Sequence, residues 1–426
     1  MLSFRLVIFI CIASFLTFFL VFNIFIFPSA FAAGFMDAGF HSKTYVVLKE
    51  DAQGHNYRVG YEYMDFELKN VMKDTMSFHS SGWIRHHLDE IPEYREGIDR
   101  TEGSLTYAYF SSRPLKNNNL QFNIGRQLLF TSLKHEYIDG ISADWGISEH
   151  NGIFTYYGLP ASQEIDKQNL DSIYGGRLYQ RIKKYAEINI SYHVENTIHH
   201  QNREEAGFDI WFGPINLFEI QGKSNFNINT DHWSHHSYNL SFYPLNGVIF
   251  SGYYSHLSYK DFFALDSLGI FSPDYLGKYR GMDKIGGTLE YELSDNTLFS
   301  LDYTGYLYEE SEDARRYGYR GETDFMSGFK VGAAMHRMDG GTEKQRYTES
   351  RLYCLKEFKK TVISLDNLYL YYDKNLAGNN HAYSLNTNMS YLYTDQLSAS
   401  INIEYLKDQN FTDSIALFFT FEYSYE

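Results

Sequence analysis

Residues 415–425 read Ile415-Ala416-Leu417-Phe418-Phe419-Thr420-Phe421-Glu422-Tyr423-Ser424-Tyr425, with an apolar or aromatic side chain at every odd position. Ala416, Thr420, Glu422 and Ser424 stand between them. Successive side chains on a strand point to opposite faces, so this segment writes one greasy face and one mostly polar face. A single strand of that kind is commonplace in soluble sheets. Its recurrence along the chain decides the fold.

The same alternation returns repeatedly. Leu105, Tyr107 and Tyr109 oppose Ser104, Thr106 and Ala108, and Ile188, Ile190, Tyr192 and Val194 oppose Asn189, Ser191, His193 and Glu195. Phe208, Ile210 and Phe212 oppose Asp209, with Trp211 the exception, and Tyr238, Leu240 and Phe242 oppose Ser237, Asn239 and Ser241. Phe299, Leu301, Tyr303 and Leu307 form another such row, as do Ala399, Ile401, Ile403 and Tyr405. Segments 248–257 and 362–372 are apolar on both parities, where a bulge or register change is expected.

Short links at 148–151, 183–185, 213–214, 244–247, 294–297, 358–360 and 394–396 interleave with longer polar ones. The longer links are 51–56, 87–101, 159–171, 197–204, 225–231, 258–283, 309–316, 339–347, 373–380 and 407–413. Alternating short and long connections are the rhythm of an up-and-down barrel. Counting from a first strand near 43–49 gives about 22 strands, within a range of about 16–22. The directions close only if the chain also reverses near 326–328. The expected fold is therefore all-β: a transmembrane antiparallel up-and-down β-barrel.

Residues 1–33 are separate in kind. They carry one charge, Arg5, within an apolar run, and end with Ala30 and Ala32 in an A-x-A arrangement. We read them as a cleaved signal peptide, 34–42 as a short periplasmic segment, and 43–426 as the barrel. After Gly34 no apolar run is long enough for a membrane helix. The 38 Tyr and 34 Phe, with 7 Pro, suit half-buried strands and bilayer interfaces. A net charge of −16 argues against nucleic acid as a partner. Cleavage leaves Cys354 alone, and with no CxxCH no covalent haem is expected. No nucleophile motif is present, so neither catalysis nor a cofactor is expected.

An export signal, a hairpin rhythm and an aromatic-rich last strand together resemble Gram-negative outer-membrane porins and porin-like proteins. The stretch Ile124-Gly125-Arg126-Gln127 with Asp139-Gly140 is similar to strand–loop–strand segments of larger porins, with Arg126 on the apolar parity. The family's closing strand ends on Phe or Trp, whereas here Glu426 follows Tyr425. The resemblance implies an integral protein of the cell outer membrane, in contact with its lipid. It also implies that Phe419, Phe421, Tyr423 and Tyr425 are the strand read by the barrel-assembly machinery, and that a homotrimer is one expected assembly.

Asp209, Glu290, Glu292, Asp302, Glu404 and Glu422 fall on the nominal inner parity, against fewer bases such as Arg58. A ring of carboxylates favours cations, so mild cation selectivity is expected. The plainer alternative is that these acids only hydrate the wall. Link 258–283 carries Phe262, Phe263, Phe271 and Tyr275, so it either folds inward as a constriction or covers a rim or partner. Histidines 86–87, 199–200, 232 and 235–236 cluster, but neighbours on a strand face opposite ways, and no metal site is expected.

The expected function is passive diffusion of ions and small polar solutes. A bore of about 22 strands is wide and such barrels are usually plugged, yet only about 10 residues separate Ala33 from the first strand. TonB-dependent transporters, with their folded plug, are therefore disfavoured. The alternative is a sheath: the chain resembles, in length, strand density and lack of haem motifs, the barrels that surround a multihaem cytochrome in trans-membrane electron conduits.

Overall fold

The computed structural model describes residues 37–425 except 51–55, 72–74, 89–98, 114–118, 132, 134, 162–171, 197–202, 216, 260–280, 310–311, 326–327, 377–378 and 408–412. The export segment and Phe262, Phe263, Phe271 and Tyr275 lie outside the described residues.

Among the described residues, 22 strands, β1 (Asp37–Glu50) to β22 (Ser414–Tyr425), form one sheet. Each strand pairs antiparallel with the next in sequence. The first also pairs with the last, from Phe40 opposite Tyr425 to Lys49 opposite Ala416. Closure removes the free edges that a long apolar sheet would otherwise expose. Lengths run from 10 residues in β7 (Asn151–Pro160) to 16 in β2 (Asn56–Val71), enough to cross an apolar band of about 25 Å when tilted.

The reversal expected near 326–328 is present, between β16 (Ala314–Phe325) and β17 (Phe329–Asp339), with Gly328 at φ 67°. The first strand begins at Asp37, so residues 37–42 belong to the wall and are not a separate segment. Ladder bonds to both β2 and β22 draw them in despite the weak alternation of Ala38-Gly39.

On most strands one parity carries the exposed large apolar side chains, among them Leu301, Tyr303, Ile401, Ile403, Ile415 and Phe421. This is the outer face. Polar groups interrupt it in several places, and two of these groupings lie well inside their strands. Glu62, opposite the exposed Ile84, accepts hydrogen bonds from Ser42 Oγ at 2.5 Å and from Thr44, which offset the cost of a carboxylate on that face. The other is Arg126 with Asp139.

Parity is less simple than the sequence suggests in two places. Between β3 (Met76–His87) and β4 (Thr101–Ser112) the register shifts at Ser81/Gly82. Leu105 therefore stays outside while Tyr107 and Tyr109 turn inward, Tyr109 stacking on His79 with centroids 4.9 Å apart. Conversely, the doubly apolar segment 248–257 needs no bulge against β14 (Gly281–Ser294): β13 (Val248–Ser258) pairs with it in unbroken register. Its inward Tyr253 hydrogen-bonds the Thr304 hydroxyl two strands away. The second such segment lies in β19 (Thr361–Leu376), which shifts register only at its end, between Tyr371 and Leu376.

Candidate functional site

Among the described residues, the inner face is interrupted by one hairpin. β5 (Asn119–Phe130) and β6 (His135–Gly146) stay paired to their tip, Phe130 opposite His135. Yet β5 pairs with β4 only through Phe122–Arg126. Past that point it leaves the wall. Gly125 makes the departure possible: its φ is 125°, and a Cβ there would lie 3.0 Å from Tyr109 Cα and collide with the Ala108 carbonyl.

Departure frees the Leu105 carbonyl of β4, and Arg126 fills the gap. Its Nη1 donates to that carbonyl at 3.0 Å, while Nε and Nη2 grip Asp139 Oδ1 and Oδ2 at 2.8 and 2.7 Å. An arginine on the apolar parity is thus 9% exposed and fully engaged. At the foot of the hairpin, Gly158 of β7 approaches β6 so closely that a Cβ would lie 2.9 Å from Gly140 Cα.

Beyond Gly125, β5 and the hairpin tip turn over the inside of β7, β8 (Ser172–Ile182) and β9 (Ala186–Asn196), while β6 keeps its ladder to β7 as far as Ile138 opposite Pro160. Leu129 and Ile138 from the hairpin pack on Tyr156 and Ile173 from the wall, all 5% exposed or less. The tip reaches further. Leu133 packs on Gly207, and Asn225 Nδ2 donates to the Leu133 carbonyl at 3.5 Å. These residues belong to β10 (Arg203–Ile215) and β11 (Phe218–Asn227). The hairpin therefore reaches across five consecutive strands, β7 to β11, inside the bore.

Below its tip opens a cavity of ≈ 370 Å³. Phe130, Thr131 and His135 line it from the hairpin; Arg177, Glu187, Asp209 and Lys223 line it from the wall. Asp209 accepts from Asn189 Nδ2 at 2.5 Å. A second inner hollow of ≈ 520 Å³ lies along β14 to β18 (Tyr347–Glu357). There His336 Nε2 is 2.8 Å from Asp302, and Arg316 is 3.4 Å from Asp302 and 3.5 Å from Glu349. Glu290, Arg320 and Arg351 complete its charged lining.

Among the expected acids, Asp209 lines the first cavity, and Asp302 and Glu290 line the second. Glu422 is 3.0 Å from His41 Nε2, whose Nδ1 is 3.1 Å from Asp65. Glu404 lies opposite Asn386 and Ala416, and Glu292 stands near the 246–247 turn, its N–H bonded to the Gly247 carbonyl. The structure does not gather the six acids into one ring. Arg58, taken as an inner base, is opposite Leu48 on the outer parity. Phe419, Phe421, Tyr423 and Tyr425 form the outer row of β22, opposite Val46, Thr44, Ser42 and Phe40.

No family model matches the chain, and no curated protein matches it. Solved structures do. The P pilus usher PapC translocation pore aligns over 91% of this chain and 99% of its own, with TM-score 0.52 and 8% identity. The siderophore receptor PirA from Pseudomonas aeruginosa aligns over 91% and 80%, with TM-score 0.56 and 8% identity. The fold is that of an outer-membrane β-barrel. At such identity the likeness extends to the fold alone. Pseudomonas aeruginosa OccK3 (OpdO) also aligns, over 92% and 95%, with TM-score 0.46 and 10% identity.

Proposed function

We propose that the chain is an integral outer-membrane channel through which ions and small polar solutes diffuse passively, and that the β5–β6 hairpin is its constriction. One observation carries this reading: a closed barrel with an apolar outside holds a hairpin of its own wall across a polar inner face. A pore this wide needs a narrowing to discriminate, and an inward element supplies it. Charge at the narrowing is mixed, Arg177 and Lys223 facing Glu187 and Asp209. The acids elsewhere on the inner face support a mild cation preference, offset in part by Arg316, Arg320 and Arg351.

The hairpin works against the sheath reading, because a folded cytochrome in the bore would have to displace it. Export by residues 1–33 and assembly through β22 belong to the same proposal. Single-channel recording of the refolded protein tests it. Discrete ohmic steps in a planar bilayer support a channel; an electrically silent bilayer, with the protein shown to be inserted, rejects it.

A further inference from the structure

Under the hairpin, Glu136 of β6 meets His193 and Glu195 of β9, with one ligand atom from each lying within 4.8 Å of the others. His193 is 0% exposed. Its Nδ1 is 2.8 Å from the Tyr156 hydroxyl, which leaves Nε2 directed at Glu136 Oε1, 3.6 Å away. That separation is too long for a hydrogen bond. It is close to the roughly 3.4 Å that separates two donors on one tetrahedral zinc ion bound at 2.0–2.1 Å.

A second observation points the same way. Glu205, 1% exposed, is the residue directly opposite His193 in the β9–β10 ladder. Arg203 Nη2 holds its Oε1 at 2.7 Å, while Oε2 has no hydrogen-bond partner among the described residues. The described residues thus gather the carboxylates of Glu136, Glu195 and Glu205 about one buried imidazole, with Arg203 holding the last of them. Carboxylates brought together at a largely buried site are costly unless protons or cations neutralise them.

We propose that Glu136, His193 and Glu195 bind a divalent transition-metal ion of the zinc class. One imidazole with two carboxylates suits such an ion, whereas calcium takes oxygen donors throughout. The Tyr156 hydroxyl at Nδ1 fixes the ring so that Nε2 is the donor. Because Glu136 rides on the hairpin and the other two ligands on the wall, the ion clips the constriction in place. Among the described residues, His86, His87, His232, His235 and His236 are not part of the cluster; His199 and His200 lie outside the described residues. The site does not depend on the barrel conducting, since binding is measured directly.

The test is calorimetric titration of zinc chloride into the refolded, chelator-stripped full-length barrel, with calcium chloride as comparison. One zinc ion per barrel is expected, with calcium far weaker. H193A and the near-isosteric E195Q should each weaken zinc by at least about tenfold, while gel mobility before and after heating shows both to be folded. A control, H236A/H256A, should bind as wild type. Absence of stoichiometric zinc, unchanged affinity in both H193A and E195Q, or loss in the control instead would overturn the proposal.

Discussion

Arg126 and Asp139 face each other across β5 and β6, both guanidinium arms within 2.8 Å of the two carboxylate oxygens, at the point where the hairpin leaves the wall. The same guanidinium caps the Leu105 carbonyl that the departing strand abandons. One side chain therefore repairs the wall and anchors the element that narrows the bore.

Losing Asp139 takes the carboxylate from a guanidinium that is 9% exposed, and losing Arg126 uncovers the Leu105 carbonyl as well as Asp139. Asp139→Asn is expected to cost about 3 kcal/mol and Arg126→Ala about as much, with strong non-additivity in the double variant. Urea unfolding in lipid vesicles, followed by tryptophan fluorescence, measures it. Single-channel currents of either variant should become noisier or larger as the hairpin loosens.

Gly125 tests the departure itself. Gly125→Ala places a side chain at positive φ and against the β4 backbone, for an expected loss of about 1–3 kcal/mol. Gly60 is the control, because a Cβ there meets nothing within 4 Å. The temperature at which each variant loses its compact gel mobility separates them: Gly125→Ala should fall, and Gly60→Ala should track wild type.

Charge at the cavity below the tip sets selectivity if the hairpin is the narrowing. Lys223→Glu should raise the cation-to-anion permeability ratio by about twofold or more, and Asp209→Asn should lower it. Zero-current potentials in a salt gradient read both. Equal potentials in the two variants would place the selective point elsewhere.

Much of the barrel is legible in the sequence because alternation is a local property. Ile415 to Tyr425 announces both of its faces, and the reversal at Gly328 follows from strand direction alone. The inward turn of Tyr107 and Tyr109 does not, because the shift at Ser81/Gly82 lies in the pairing between strands and leaves each strand's own pattern intact. The hairpin is the harder case. Gly125, Arg126 and Asp139 stand out as residues, yet what they do depends on Leu105 of another strand and on Leu133 reaching Gly207. His193 reads as one more polar residue in a clean alternation, and only folding brings Glu136 beside it.

The barrel itself is tested most directly by cysteine labelling on one strand. In a background with Cys354→Ser, Ser237→Cys and Leu240→Cys place thiols on β12 (His232–Leu245), the first lining the inner cavity and the second 46% exposed on the outer parity. With the protein reconstituted in liposomes, a small charged thiol reagent should modify Ser237→Cys readily and leave Leu240→Cys unreacted until detergent is added. Equal modification of both positions in the intact bilayer, or the reverse order, would contradict a closed wall with water inside and lipid outside.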